Sequence, residues 1–232
     1  MRILKTEQYI NEKLDIQPVT KDMLSKMKEN PSVDEKARKF IEKNNLIWNP
    51  NKMCYDCDGD VRISKDIVAG GKLKIRFGNV GGYFDCNESH LTTLEGAPNK
   101  VGGYFVCDNN NLTSLEGAPK EVGGGFSCNS NNLTSLKGAP QKVGENFFCS
   151  HNNLTTLEGA PQEVGGDFYC SYNELTSLEG APNVVGRDFY CSYNELTSLE
   201  GAPQKVGGEF YCSDISNLVL PKGIPSWLKG KI

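Results

Sequence analysis

Long apolar runs are missing from this chain. No stretch of 18 consecutive apolar residues occurs, which excludes a simple transmembrane helix. The opening MRILKTEQYI has no apolar core of the kind a secretory signal carries, so the expected location is the cytoplasm. Histidine is scarce, with only His90 and His151, about 60 residues apart. The single C-x-x-C, Cys54-Tyr-Asp-Cys57, has no second pair and no nearby histidines to complete a four-ligand zinc site. DCDGD starts like a calcium loop, but its twelfth position is Ile67 where a bidentate glutamate is needed. No Gly-Lys-Ser/Thr follows the Val-Gly-Gly pairs, so they are not phosphate loops. No cofactor and no metal are expected. Candidate nucleophiles occur only as repeated columns, as building elements do, and no catalytic constellation emerges; the chain reads as a non-enzyme.

A basic face is also lacking. The net charge is −4, split as +2 over residues 1–50 (10 Lys+Arg, 8 Asp+Glu) and −6 over the rest (15 and 21). Direct binding to nucleic acid is therefore not expected. Hydrophobic residues make up only 38% of the 232 residues, while there are 25 glycines, which suits a thin protein with many tight turns.

What the chain does have is a metronome. Cys86, Cys107, Cys128, Cys149, Cys170, Cys191 and Cys212 recur every 21 residues, unlike any disulfide framework, and read as a column of small buried thiols. Phe84, Phe105, Phe126, Phe147, Phe168, Phe189 and Phe210 precede them by two residues. Leu91 through Leu196 follow at the same period, each with a second leucine three residues on, and then Gly-Ala-Pro six times without change. A fixed period in this range signals a solenoid. Phe-x-Cys predicts a short strand with both named side chains inward, paired in parallel with its copies. The Gly-Gly pair is read as supplying backbone freedom for a turn, and the proline as fixing the return path. Asn110, Asn131, Asn152, Asn173 and Asn194 are expected to point inward and bond the backbone of the bend in their own and the next coil, with Ser89 and Ile215 marking atypical ends.

F-x-C-x-x-N-x-L-x-x-L resembles the L-x-L-x-x-N-x-L-x-x-L core of leucine-rich repeats. Its short period and proline return are similar to the class found in bacterial secreted effectors. The wording LTSLEGAP…VGG, together with YINEKLDI near the start, resembles small leucine-rich-repeat proteins of tailed phages, which would place the chain in a host cytoplasm. The resemblance implies an α/β repeat solenoid, a right-handed coil with a parallel β-sheet on its concave face, and chiefly protein binding.

The expected division is a helical amino-terminal cap over 1–50, a transitional β cap over 51–79, the solenoid over 80–212 and a short irregular carboxy-terminal cap over 213–232. Tyr9, Ile10 and Leu14 form one apolar stripe; Val33, Ala37, Phe40 and Ile41 form a second, after a capping box at Ser32 and Glu35. VRIS (61–64) and KLKIRF (72–77) read as strands, CDGDVRIS from Cys57 as an imperfect early coil, and Leu218, Leu220, Ile224, Trp227 and Leu228 as the cover of the last coil.

Core columns hardly change along the chain, but the outward ones drift. They converge on an aromatic patch, Phe148, Tyr169, Tyr190 and Tyr211 flanked by Tyr172 and Tyr193, whose tyrosines are expected to stack into a ladder, with an acidic border of Asp167, Asp188 and Glu209. Exposed clustered tyrosine marks an interface, and acidic neighbours favour a basic protein partner through ion pairing and cation–π contact. The expected function is a protein-binding module, acting on a host or defence factor if the chain is phage-encoded. The alternatives are a self-assembling structural protein of unspecified oligomeric state and an acidic inhibitor that mimics DNA.

Overall fold

The computed structural model describes residues 33–213 and Leu228. Its body is a parallel β-solenoid in which each 21-residue coil lays down two short strands. One, the phenylalanine sheet, runs from Val61–Arg62 through Phe84–Asp85 to Phe210–Tyr211 in eight parallel strands with Phe facing Phe in register. The other, the valine sheet, joins Phe77–Val80, Lys100–Val101, Glu121–Val122 and their successors to Lys205–Val206. It begins at Cys54–Cys57, on which Ile47–Asn49 folds back antiparallel.

The interior is built from stacked identical side chains. Phe84 to Phe210 form a column with ring centroids 5.2–5.4 Å apart. Both leucine columns are buried on the third side of the coil. All nine cysteines are free thiols, and only Cys212 is partly exposed. From Cys86 to Cys191 each sulfur donates to a carbonyl of the following coil, at 3.2–3.5 Å. Burial pushes these thiols up, away from thiolate. Asn131 shows what the asparagine column does. Its amide donates to the carbonyls of Cys107 and Cys128, and its oxygen accepts from the Leu112 amide. It therefore ties its own coil to the preceding one, where the pattern had suggested the following one.

Several expectations need correction. The 21-residue coils from Phe84 on contain no helix: Leu-x-x-Leu is followed, after one intervening residue, by a glycine at φ 81–96°, which ends any helical path. The Val-Gly-Gly glycines serve space and not freedom. A Cβ on Gly144 would lie 2.0 Å from the Gly123 carbonyl oxygen, and Gly102, Gly123, Gly165, Gly186 and Gly207 are pressed on the preceding coil in the same way. The early imperfect coil suggested by CDGDVRIS is there, by contrast: Val61 and Ile63 occupy the Phe and Cys places of a rung paired to Phe84. Within 72–77 only Lys72–Leu73 and Phe77 belong to strands, and Lys72–Leu73 pairs antiparallel with Val68–Ala69. The second apolar stripe is a helix, Glu35–Lys43, which buries Ala37 and Phe40 and sets Phe40 edge-on against Phe77 at 6.5 Å. Ile47–Asn49 is strand and not part of a helical segment, because its backbone pairs with Cys54–Cys57. The Tyr9 stripe, Ser32 and the 214–227 segment lie outside the described residues. Among the described residues no helix is long and apolar enough to cross a membrane.

Candidate binding face

Five outward positions of each coil line the solvent side of the phenylalanine sheet and the bend after it. In the coil around Phe168 they are Asp167, Tyr169, Ser171, Tyr172 and Glu174; one coil on they are Asp188, Tyr190, Ser192, Tyr193 and Glu195. The structure brings the expected aromatic residues together as two ladders. Phe148, Tyr169, Tyr190 and Tyr211 stack at 4.8, 4.4 and 4.6 Å with ring planes within 14°. His151, Tyr172 and Tyr193 stack at 4.4 Å within 12°. Tyr172, Tyr193 and Tyr211 are 46%, 51% and 44% exposed, while Tyr169 and Tyr190 are half-buried.

This geometry removes one expected contact. Parallel rings one rung apart cover each other's faces, so Tyr169, Tyr190 and Tyr172 show the solvent their edges and hydroxyls. Cation–π contact needs a ring face and is not available at those three. The acidic border also has a structural task. Asp167 and Asp188 each accept, through Oδ1, the backbone N–H of the next coil's equivalent residue, at 2.9 and 2.8 Å. Oδ2 of Asp188 accepts the Tyr190 hydroxyl at 2.9 Å, and Oδ2 of Asp167 the Tyr169 hydroxyl at 3.4 Å. Burial and these carboxylates hold both phenols above the usual tyrosine range, so they stay neutral donors.

Backbone conformation marks the second ladder. Tyr172 and Tyr193 have φ of 57° and 56°, as do His151 (56°), Ser130 (52°), Asn109 (51°) and Glu88 (51°) in the same column. The left-handed region costs an ordinary residue about 1–2 kcal/mol, and asparagine or glycine relieves it. The chain places asparagine there in only one of these coils, and tyrosine in two where the ring is exposed. Sequence reasoning missed this, and it also missed Glu174 and Glu195, which form a second acidic margin beyond the bend. The twice-written S-Y-N-E was the available signal: with Asn inward, the next residue turns out again.

The amino-terminal part of the same face differs. Tyr83 and Tyr104 meet at 5.7 Å and 42°, and line an open cleft of about 650 Å³ with Arg62, Asp85 and Val106. Arg62 pairs with Asp85 at 2.9 Å. The Tyr104 ring crosses Gly124 and Gly125 so that its hydroxyl donates to Glu145, two coils on, and that bond pushes the phenol up to about 12. Cys54 and Cys57 are both buried in their strand, with Cys57 Sγ donating to the Asn44 carbonyl. Among the described residues no cluster of His, Cys, Asp and Glu is arranged to hold a metal ion.

No known protein family matches the chain, and neither the sequences of curated proteins nor solved structures include a match.

Proposed function

We propose that the protein is a non-catalytic binding module that grips a basic segment of a partner protein on the two tyrosine ladders. The observation that carries this reading is the coincidence of aromatic exposure and charge. Residues 158–213, which hold most of both ladders, contain nine Asp and Glu against Arg187 and Lys205, a net of −7. Residues 33–157 contain 14 of each sign and are neutral. A hydrophobic strip bounded on both margins by carboxylates recruits a cationic partner and repels a second copy of itself. That repulsion disfavours self-assembly through this face. The coil is read as a short leucine-rich-repeat variant, on the strength of its inward asparagine and leucine columns, and the helix Glu35–Lys43 as covering the first rung. A phage origin and a host target rest on the wording of the repeat.

The test is a pull-down from host lysate with the parent chain and the Tyr169→Ala/Tyr190→Ala variant in parallel, both first checked for retained fold by circular dichroism. A protein held by the parent alone is the expected result. Equal capture by both chains would remove this face from consideration.

A further inference from the structure

We propose that the segment recognised by the tyrosine strip is rich in lysine and not in arginine; this rests on the functional reading above and specifies its partner. Arginine ordinarily outcompetes lysine at protein surfaces for two reasons: its plane stacks on aromatic faces, and its fork binds a carboxylate through two parallel hydrogen bonds. The inner rungs of this face withhold both. The inner rings of the ladders have neighbours on each side at 4.4–4.8 Å, so no flat guanidinium can lie on them. Their outward edges are the electropositive rim of the ring, which drives cations sideways to the acidic margins.

At Asp167, Asp188 and Glu174 the margins are equally selective. Oδ1 of Asp167 and Oδ1 of Asp188 are engaged by the next coil's backbone N–H, and Glu174 Oε1 accepts the Asn153 amide at 3.1 Å. With Oδ2 of Asp167 and Asp188 also accepting the Tyr169 and Tyr190 hydroxyls, none of these three carboxylates presents two unengaged oxygens to a partner. That suits an ammonium, which acts as a point charge, and wastes the fork. A lysine stem of four methylenes can meanwhile cover the ring edges while its head reaches a margin. Spacing favours flexible stems as well. Rungs repeat about every 4.8 Å, whereas side chains on one face of an extended peptide repeat about every 6.7 Å, so successive cations must lean to find their carboxylates.

The experiment is calorimetric titration of the full chain with octalysine and with octaarginine at low ionic strength, repeated on Tyr172→Asn/Tyr193→Asn. Asparagine is chosen because the fold already holds Asn109 at the equivalent left-handed position, so the coil is retained. Octalysine is expected to bind at least threefold more tightly than octaarginine and to lose at least tenfold on the variant. Equal or tighter binding of octaarginine, still lost on the variant, overturns the lysine preference while leaving the basic-partner reading in place. Binding of neither peptide, or undiminished binding to the variant, overturns both.

Discussion

Replacing Asn131 by leucine tests the energetic basis of the solenoid with little change of volume. The side chain sits buried between two coils and supports several backbone groups at once. Removing it does not affect them equally. The Cys107 carbonyl also accepts the Asn110 amide at 3.0 Å, and the Cys128 carbonyl also accepts the Asn152 amide at 3.0 Å. Each carbonyl therefore keeps one of its two ladder bonds and loses about 0.5–1 kcal/mol. The Leu112 N–H is different: its acceptor is Asn131 Oδ1 at 3.1 Å, and within the fully buried surroundings of Leu112 its loss costs about 1–3 kcal/mol. Leucine returns about 1 kcal/mol of apolar transfer. The expected net loss is about 1–4 kcal/mol. In urea, with a slope of about 2 kcal/mol per M, the midpoint should fall by about 0.5–2 M, followed by far-UV circular dichroism. A fall of less than about 0.3 M would refute the idea that the amide ladder is a principal source of cohesion between coils.

Three further outcomes follow from the same geometry. Gly144→Ala should cost at least about 2 kcal/mol, because its Cβ meets backbone and not a movable side chain, while Gly59→Ala, which meets nothing within 4 Å, should be close to neutral in the same urea assay. Asp108 is held above the ordinary carboxyl value by burial, against the bonds it accepts from Ser127 and Asn129. Its folded form therefore favours the proton, and the stability it contributes is present below about pH 3.9 and declines as pH rises beyond it. Asp108→Asn keeps the accepting oxygen, so it should be more stable than the parent at pH 7, with the difference shrinking towards pH 4; an unchanged difference across that range would remove the burial argument. Finally, a thiol reagent at pH 8 should modify no more than one of the nine cysteines in the folded chain, Cys212, and all nine in denaturant. Rapid reaction of several thiols in the folded chain would show that the column opens.

The Phe, Cys, Leu and Asn columns were legible in the sequence because each is one residue type at one fixed period, and burial is the only role all their copies share. The valine sheet was not. Its repeated strands, from Lys100–Val101 on, are two residues long, too short for alternation, and the valine was absorbed into the Val-Gly-Gly turn. The glycines there looked like conformational freedom because crowding between coils leaves no local mark in the chain. The tyrosines of the binding face could be placed outward by alternation from Phe and Cys. Their stacking into a ladder was legible too, from identical residues on rungs about 4.8 Å apart; what one coil does not show is that the stack leaves no ring face for a cation. The left-handed conformation at Tyr172 and Tyr193 was masked by the residues themselves, which are poor formers of it; Asn109, two coils back from His151, was the one hint.

The crowding of glycine on the preceding carbonyl has a consequence for how such a gene can change. Every junction between coils is made by the same backbone contacts one period up and one period down, so removing or duplicating 21 codons in phase joins surfaces that already fit. An insertion that is not a whole number of periods puts a side chain, or the wrong carbonyl, where an added Cβ would lie 2.0–2.3 Å from a backbone oxygen. Recombination between the near-identical copies, such as the two that spell FYCSYNELTSLEGAP, is therefore filtered by sterics into whole-coil steps. Each step lengthens or shortens both tyrosine ladders by one ring, which makes the reach of the face on its partner a quantity inherited in integers.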